Sequence, residues 1–236
     1  MLHTTRGVVL RTFKHGDGSS VLKAYTEAFG ARTYMVRNGK RGGAPTVRLQ
    51  PLDRLELVVT EHRERDMHTV REVRLDKPYV GIPSDHARGL LLLFAQEVFY
   101  RTLREESSDP SLFAFVMSTL EDIDTGDNVG QQPLLILMRL AGHLGFLPEL
   151  PKPEEDLFDL REGHFFHGVP PHGFCMDKSC TKAFAELILA DGQGVEARLT
   201  SDARRDLLGQ LLTYFRLHAE GFGQLRSPEV IHAILH

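Results

Sequence analysis

The chain of 236 residues is 42 % hydrophobic and 25 % charged, globular proportions that exclude a largely disordered protein. The apolar run Leu90–Ala95 is too short to cross a bilayer, the N-terminus lacks a signal-peptide pattern, and two cysteines make no disulfide framework; together they predict a soluble cytoplasmic protein. The formal net charge of −4 is unevenly spread, since residues 1–76 hold 14 basic and 9 acidic side chains and carry +5. A compact basic region is typical of proteins that neutralise nucleic-acid phosphates.

The first part of the chain has the alternating pattern of short strands bounded by turn residues. The five predicted strands are Thr5–Thr12, Ser20–Thr26, Ala31–Arg37, Leu52–Thr60 and His68–Leu75. Five short antiparallel strands in about 75 residues predict a small closed barrel, for which an oligonucleotide/oligosaccharide-binding fold (OB-fold) is the leading candidate. An SH3-like barrel fits the same pattern and stays open.

The segment Pro78–Pro83 interrupts the strand pattern and predicts a boundary between an OB-fold domain, 1–79, and a helical domain, 80–236. Ser84 is the predicted N-cap of a helix that reaches residue 104. Helical spacing predicts further helices at 110–123, 131–144, 181–190, 201–218 and 227–235, the last two with serine caps. Residues 145–180 are predicted to form an irregular excursion with one hairpin near Gly163. The predicted fold class is therefore α+β, an N-terminal barrel followed by helices.

The segment 37–43 follows the third predicted strand and combines three cations with three glycines. Glycines let a backbone approach a partner closely, and clustered cations on an adaptable loop suit phosphate binding. We therefore predict that Arg37, Lys40 and Arg41 contact DNA. The alternative is a solvated hairpin tip with incidental charge.

Aromatic side chains near these cations are candidates for stacking on unpaired bases. Tyr34 is the first choice because it stands close to Arg32 and Arg37, and Phe29 is the second. The predicted DNA-binding set is thus Arg32, Tyr34, Arg37, Lys40 and Arg41. The alternative for each aromatic residue is a place in the barrel core.

Residues 164–180 contain potential metal ligands, which are His164, His167, His172, Cys175 and Cys180. The two cysteines are separated by four residues, whereas structural zinc sites show tight pairs such as C-x2-C. We therefore predict an ordinary polar loop without metal or other cofactor. The chain also lacks a phosphate-binding P-loop and a G-x-S-x-G nucleophile turn, so no enzyme is predicted.

Several segments, in order and spacing over nearly the whole chain, resemble the RecO family of recombination mediators. The matching segments are Thr5–Arg11, Tyr25–Gly30, Arg37–Arg41, Leu49–Leu52, Phe158–Gly163, Tyr214–His218 and Leu225–Ser227. Many RecO-like proteins carry a four-cysteine zinc module in the region 145–180. With two cysteines there, this chain resembles the branch that lacks the metal.

The resemblance implies a non-enzymatic function in DNA repair. RecO-like proteins bind single- and double-stranded DNA, anneal complementary strands, engage the tail of single-stranded-DNA-binding protein and help RecR load RecA. For the tail we expect an apolar pocket rimmed by cations, with Arg101, Arg104 and Arg139 as candidates. The alternative functions are an OB-fold adaptor that recognises a protein or RNA partner and a hydrolase with its site in 145–180.

Overall fold

The computed structural model describes residues 2–16, 19–37, 49–61 and 66–227. Its first part is a closed five-stranded barrel with the strand order β1-β2-β3-β5-β4. The strands are β1 (Leu2–His15), β2 (Ser19–Thr26), β3 (Gly30–Arg37), β4 (Arg54–Thr60) and β5 (His68–Leu75). The predicted fold class, an OB-fold barrel followed by helices, is confirmed.

Strand β1 closes the barrel because it pairs with β2 along one edge and with β4 along the other. An irregularity between Val9 and Arg11 shifts its register and bends the strand between its two neighbours. Inward-facing side chains from all five strands fill the interior. The core consists of Val9, Leu22, Ala24, Tyr34, Leu55, Leu57, Val59 and Val70.

Five helices follow within the described residues. They are α1 (His86–Thr102), α2 (Pro110–Thr125), α3 (Gln132–His143), α4 (Lys178–Gly192) and α5 (Ser201–His218). The predicted N-cap of α1 is wrong, because the side chain of Asp85 and not of Ser84 accepts the Ala87 and Arg88 N–H groups. Thr200, one residue earlier than expected, caps α5. The helix predicted at 227–235 lies almost wholly outside the described residues.

The excursion after α3 holds a small three-stranded sheet with the order β7-β6-β8. Its strands are β6 (Leu157–Asp159), β7 (His164–Phe166) and β8 (Cys175–Met176). The turn between β6 and β7 contains Gly163, which has a positive φ of 73°, and the hairpin predicted there is confirmed. None of the helices described has the length and apolar content that a membrane crossing requires.

The chain forms two compact units, and they divide it differently from the predicted boundary at 79/80. Unit 1 comprises 1–92 and 96–125, so it contains the barrel, α2 and most of α1. Unit 2 comprises 93–95 and 126–236. The predicted boundary at 79/80 separates two modules of the sequence, which need not coincide with these compact units, and it stays a prediction.

A buried charge network in unit 1 joins the barrel to α2 and the segment between them. The Arg54 side chain is 2 % exposed, and its Nη1 donates to Glu121 Oε2 at 2.7 Å. Its Nη2 lies 3.9 Å from Oδ2 of Asp124. Oxygens of the buried Asp124 carboxylate also accept the N–H groups of Val80, Gly81 and Ile82 at 2.8–3.0 Å. This aspartate therefore fixes the segment after β5 to the end of α2.

Candidate nucleic-acid interface

The predicted DNA-binding loop begins at the end of β3. Arg37 is the last residue of that strand, its side chain is exposed, and it is paired with Ser19 of β2. Lys40 and Arg41 lie outside the described residues. The predicted role of these three cations therefore stays a prediction.

Tyr34 does not offer its ring to a partner. Its side chain is 0 % exposed in the barrel core, and its hydroxyl donates to Glu61 Oε1 at 3.2 Å. Burial and the neighbouring Glu61 charge raise the pKa of the phenol. A fully buried ring cannot stack on a base, so the predicted stacking by Tyr34 is wrong. Phe29, the second choice, packs against the same core.

Arg32 is held by carboxylates. Its side chain is 17 % exposed, with Nε 3.4 Å from Glu61 and Nη1 3.6 Å from Glu106. A phosphate would have to compete with both acids for this guanidinium. Arg32 is therefore a poor candidate for a direct phosphate contact, although it still adds a positive charge to its surroundings.

A different surface of unit 1 combines exposed cations with aromatic rings; we call it the β1–α1 surface and define it by Arg11, Phe13, Lys23 and Tyr100. Arg11 and Lys23 are cross-strand partners in the β1–β2 ladder. The Arg11 guanidinium lies 4.7 Å from the Phe13 ring centroid and 5.3 Å from that of Tyr100. Arg11 Nη1 also donates to the Tyr100 hydroxyl at 3.3 Å, and Lys23 Nζ lies 5.9 Å from the Tyr100 ring.

A cleft of about 270 Å³ continues this surface between the barrel and α1. Its lining includes Lys23, Arg32, Tyr100 and Arg104, with Glu106 as the acidic residue among the lining side chains. Ala31 N donates to Glu105 O at 2.9 Å and ties β3 to the segment after α1. Proteins that bind single-stranded nucleic acid combine cations, which contact the phosphates, with aromatic faces, on which the bases stack.

The three residues predicted for protein recognition fall in both compact units. In unit 1, Arg101 pairs with Glu97 at 3.1 Å along α1, and the exposed Arg104 lines the cleft just described. In unit 2, Arg139 of α3 pairs with Asp191 of α4 at 2.7 Å. Arg139 also borders a cavity of about 250 Å³ whose apolar lining includes Leu135 and Leu187.

The five potential metal ligands named from the sequence do not converge on one point. Cys180 is buried in the first turn of α4, where burial and nearby acids raise the pKa of its thiol to about 12. His167 pairs with Asp156 at 3.4 Å. His172 and Cys175 do approach each other, with Nδ1 and Sγ 3.8 Å apart.

Comparisons with known proteins agree over nearly the whole chain. The family model described as "Recombination protein O N terminal" matches residues 1–79, and "Recombination protein O C terminal" matches residues 83–228. Three similar relatives are each named DNA repair protein RecO. The protein of Christiangramia forsetii is 26 % identical over 238 residues, and the match covers 99 % of both chains. Those of Flavobacterium psychrophilum and Bacteroides fragilis are 26 % and 27 % identical, with 98 % of each chain covered.

Proposed function

The chain belongs to the recombination protein O family, and from that membership we propose that it is a recombination mediator that binds single- and double-stranded DNA. The name of its relatives, DNA repair protein RecO, supports a function in DNA repair and recombination. The proposed activity is binding and annealing of complementary strands without bond-making chemistry.

The observation that carries the DNA-binding proposal is the β1–α1 surface. Arg11 and Lys23 present two positive charges side by side, and Phe13 is 37 % exposed beside them. Stacking on Phe13 and Tyr100 would hold unpaired bases without regard to sequence, because every base has a π-face. Phosphate contacts likewise carry no base identity, which suits a mediator that must act on any broken DNA.

We further propose that the protein works with RecR to load RecA, and that it binds the C-terminal tail of single-stranded-DNA-binding protein. A tail with acidic residues and an apolar end needs a receptor that is apolar inside and cationic at the rim. The Arg139 cavity of unit 2 offers Leu135 and Leu187 as apolar lining and Arg139 as the cation, beside the acids Asp191 and Glu196. Asp191 holds the Arg139 guanidinium in place at that rim.

The competing function is an OB-fold adaptor that recognises an acidic protein or an RNA. The β1–α1 surface would serve such a partner through the same charges. A titration with single-stranded DNA, double-stranded DNA, RNA and an acidic peptide at several salt concentrations separates the two. The proposal requires DNA affinity that falls linearly in log–log form as salt rises, and absence of DNA affinity at low salt would refute it.

The loop after β3 is expected to add phosphate contacts to those of the β1–α1 surface. Changing Arg37, Lys40 and Arg41 together to glutamine should lower the magnitude of the salt slope by up to about 2 to 3, since each contact contributes roughly 0.7 to 0.9. Fluorescence anisotropy with two oligonucleotides of unrelated sequence measures the slope, which should change equally for both. An unchanged slope would remove the loop from the DNA site.

The Arg139 cavity is tested with a labelled peptide of the tail and the full-length protein. Arg139→Gln should weaken peptide binding about 5- to 30-fold, as expected when one partner of a charged, partly buried contact is removed. Arg205→Gln is the matched control, because Arg205 pairs with an acid, Asp202, in the same unit. Equal affinity of the Arg139 variant and the wild type would place the tail elsewhere.

A further inference from the structure

A cavity of about 570 Å³ in unit 2 lies between the segment after α3, the β6–β7 hairpin and the end of α5. One wall is aromatic, since Phe146 stacks on His218 and meets Tyr214 edge-on, with ring centroids 5.5 Å apart in both pairs. The Tyr214 hydroxyl donates to Phe146 O at 2.5 Å, and His218 Nε2 lies 2.9 Å from Leu160 O. These contacts hold the walls together around a volume typical of binding pockets.

The mouth of this cavity is apolar. Leu147 and Leu150 belong to its lining and are 37 % and 49 % exposed. They lie in the segment 146–152, which forms neither helix nor strand. Two exposed leucines beside one cavity are a surface that the apolar side chain of a partner would cover.

The charge of the lining is negative. Glu149, Glu155 and Glu162 contribute carboxylates, and Lys152 contributes the single ammonium group. Lys152 is taken up by Glu155, with Nζ 3.8 Å from Oε1. Glu149 and Glu162 are exposed, and neither forms an ion pair with any residue that the structure describes. With the lining histidines neutral, two uncompensated carboxylates therefore favour a cationic partner and repel phosphates and acidic peptides.

An extended peptide suits this place better than a free small cation. His164 and Phe165 of β7 line the cavity, and β7 is an outer strand of the small sheet, paired with β6 along one edge. An outer strand can receive a partner strand through backbone hydrogen bonds. A small cation would pair with the carboxylates but leave the leucines uncovered.

We propose that this cavity, which we call the Glu149–Glu162 cavity, binds a basic segment of a partner protein. An apolar side chain of that segment lies against Leu147, Leu150 and Phe146, and lysine or arginine side chains next to it pair with Glu149 and Glu162. This partner is opposite in charge to DNA and to the acidic tail proposed for the Arg139 cavity. Unit 2 would therefore recognise two protein segments of opposite sign at separate places.

The probe is a short fluorescent peptide with a central leucine, two arginines on each side of it, and glycine and serine elsewhere. Anisotropy titration of the full-length protein should show saturable binding of one peptide per chain. Joint replacement Glu149→Gln and Glu162→Gln should weaken binding about 5- to 30-fold, because both ionic partners are lost. Leu150→Ser should weaken it at least about fivefold, because the apolar contact is lost.

Matched variants separate this site from general attraction to an acidic protein. Glu154→Gln with Glu220→Gln removes two exposed carboxylates of the same unit outside the lining, and Leu189→Ser removes a leucine that is 46 % exposed, also outside it. Both should leave the affinity unchanged.

A control peptide with serine in place of leucine tests the apolar contact on the wild-type protein, and it should bind at least about fivefold more weakly. Absence of saturable binding to the wild type would overturn the proposal. Equal weakening by the two pairs of glutamate substitutions, or equal affinity of the leucine and serine peptides, would also overturn it, because binding would then be diffuse charge attraction.

Discussion

Replacement of Tyr100 by alanine is expected to weaken single-stranded DNA binding by about 1 to 3 kcal/mol, roughly 5- to 150-fold, because a stacked base loses its platform. Joint replacement of Arg11 and Lys23 by glutamine should weaken it about tenfold near 0.15 M salt and lower the salt slope by about 1.4, the share of two phosphate contacts. Anisotropy titrations over a range of salt concentrations measure both quantities.

The two kinds of variant should act on different parameters. Tyr100→Ala removes no charge, so it should lower affinity at every salt concentration and leave the slope unchanged, whereas Tyr100→Phe keeps the ring and most of the affinity. Arg74→Gln is the matched control for charge, since Arg74 lies exposed on β5 of the same barrel and pairs with Glu72. If Arg74→Gln and the Arg11/Lys23 pair reduce the slope equally for each charge removed, binding would be diffuse and the β1–α1 surface would not be a site.

Replacement of Asp124 by alanine is expected to lower the free energy of unfolding by about 3 to 5 kcal/mol. The change would leave the N–H groups of residues 80–82 without their acceptor and deprive the buried Arg54 of one of its two acids. Urea denaturation followed by circular dichroism measures the loss. Asp85→Ala is the comparison, because Asp85 also accepts backbone N–H groups but is half-exposed, and it should cost only about 0.5 to 2 kcal/mol. Equal losses would contradict a special role for the Arg54–Asp124 pair.

The same network makes stability depend on pH in the acid range. Burial alone would raise the pKa of Asp124, but hydrogen bonds from residues 80–82 and the Arg54 charge lower it below 3.8. Hydrogen bonds from Lys77 and Arg54 likewise lower the pKa of Glu121 below 4.5. A lowered carboxyl pKa adds stability that is complete above the unfolded-state pKa and is lost as pH falls through the folded-state pKa. The wild type should therefore lose stability below about pH 4.5, and more steeply than Asp124→Ala.

The barrel could be predicted because its strands alternate in sequence, and β5 has the predicted bounds, His68–Leu75. Alternation does not state which face points inward. Arg32 and Tyr34 have the same parity in β3, yet Tyr34 is fully buried whereas the Arg32 side chain is 17 % exposed. The prediction that Tyr34 stacks on a base assumed that this face of β3 points outward. The combination of aromatic rings with cations, on which the prediction relied, was reasonable.

The β1–α1 surface was missed because its members are distant in sequence. Arg11 and Phe13 are two residues apart on one strand, a signal that was available, but Tyr100 joins them only when α1 packs beside the barrel. The approach of Asp159 to Cys175 was missed for the same reason, since their pairing depends on the ladder between β6 and β8. Short spacings are visible in a sequence, whereas contacts across 16 to 89 residues require the fold.

The Arg54–Asp124 network bears on how modules of this family can be exchanged. The N-terminal family model ends at residue 79, yet a cut there separates Arg54, which is 2 % exposed in the intact chain, from both of its acids on α2. In a chimaera whose α2 covers Arg54 but supplies no acid at these two positions, the guanidinium would be a buried charge without a partner, which is costly enough to unfold a small domain. Chimaeras between relatives should therefore transfer residues 1–125 as one piece, and the natural exchange unit is longer than the barrel by two helices.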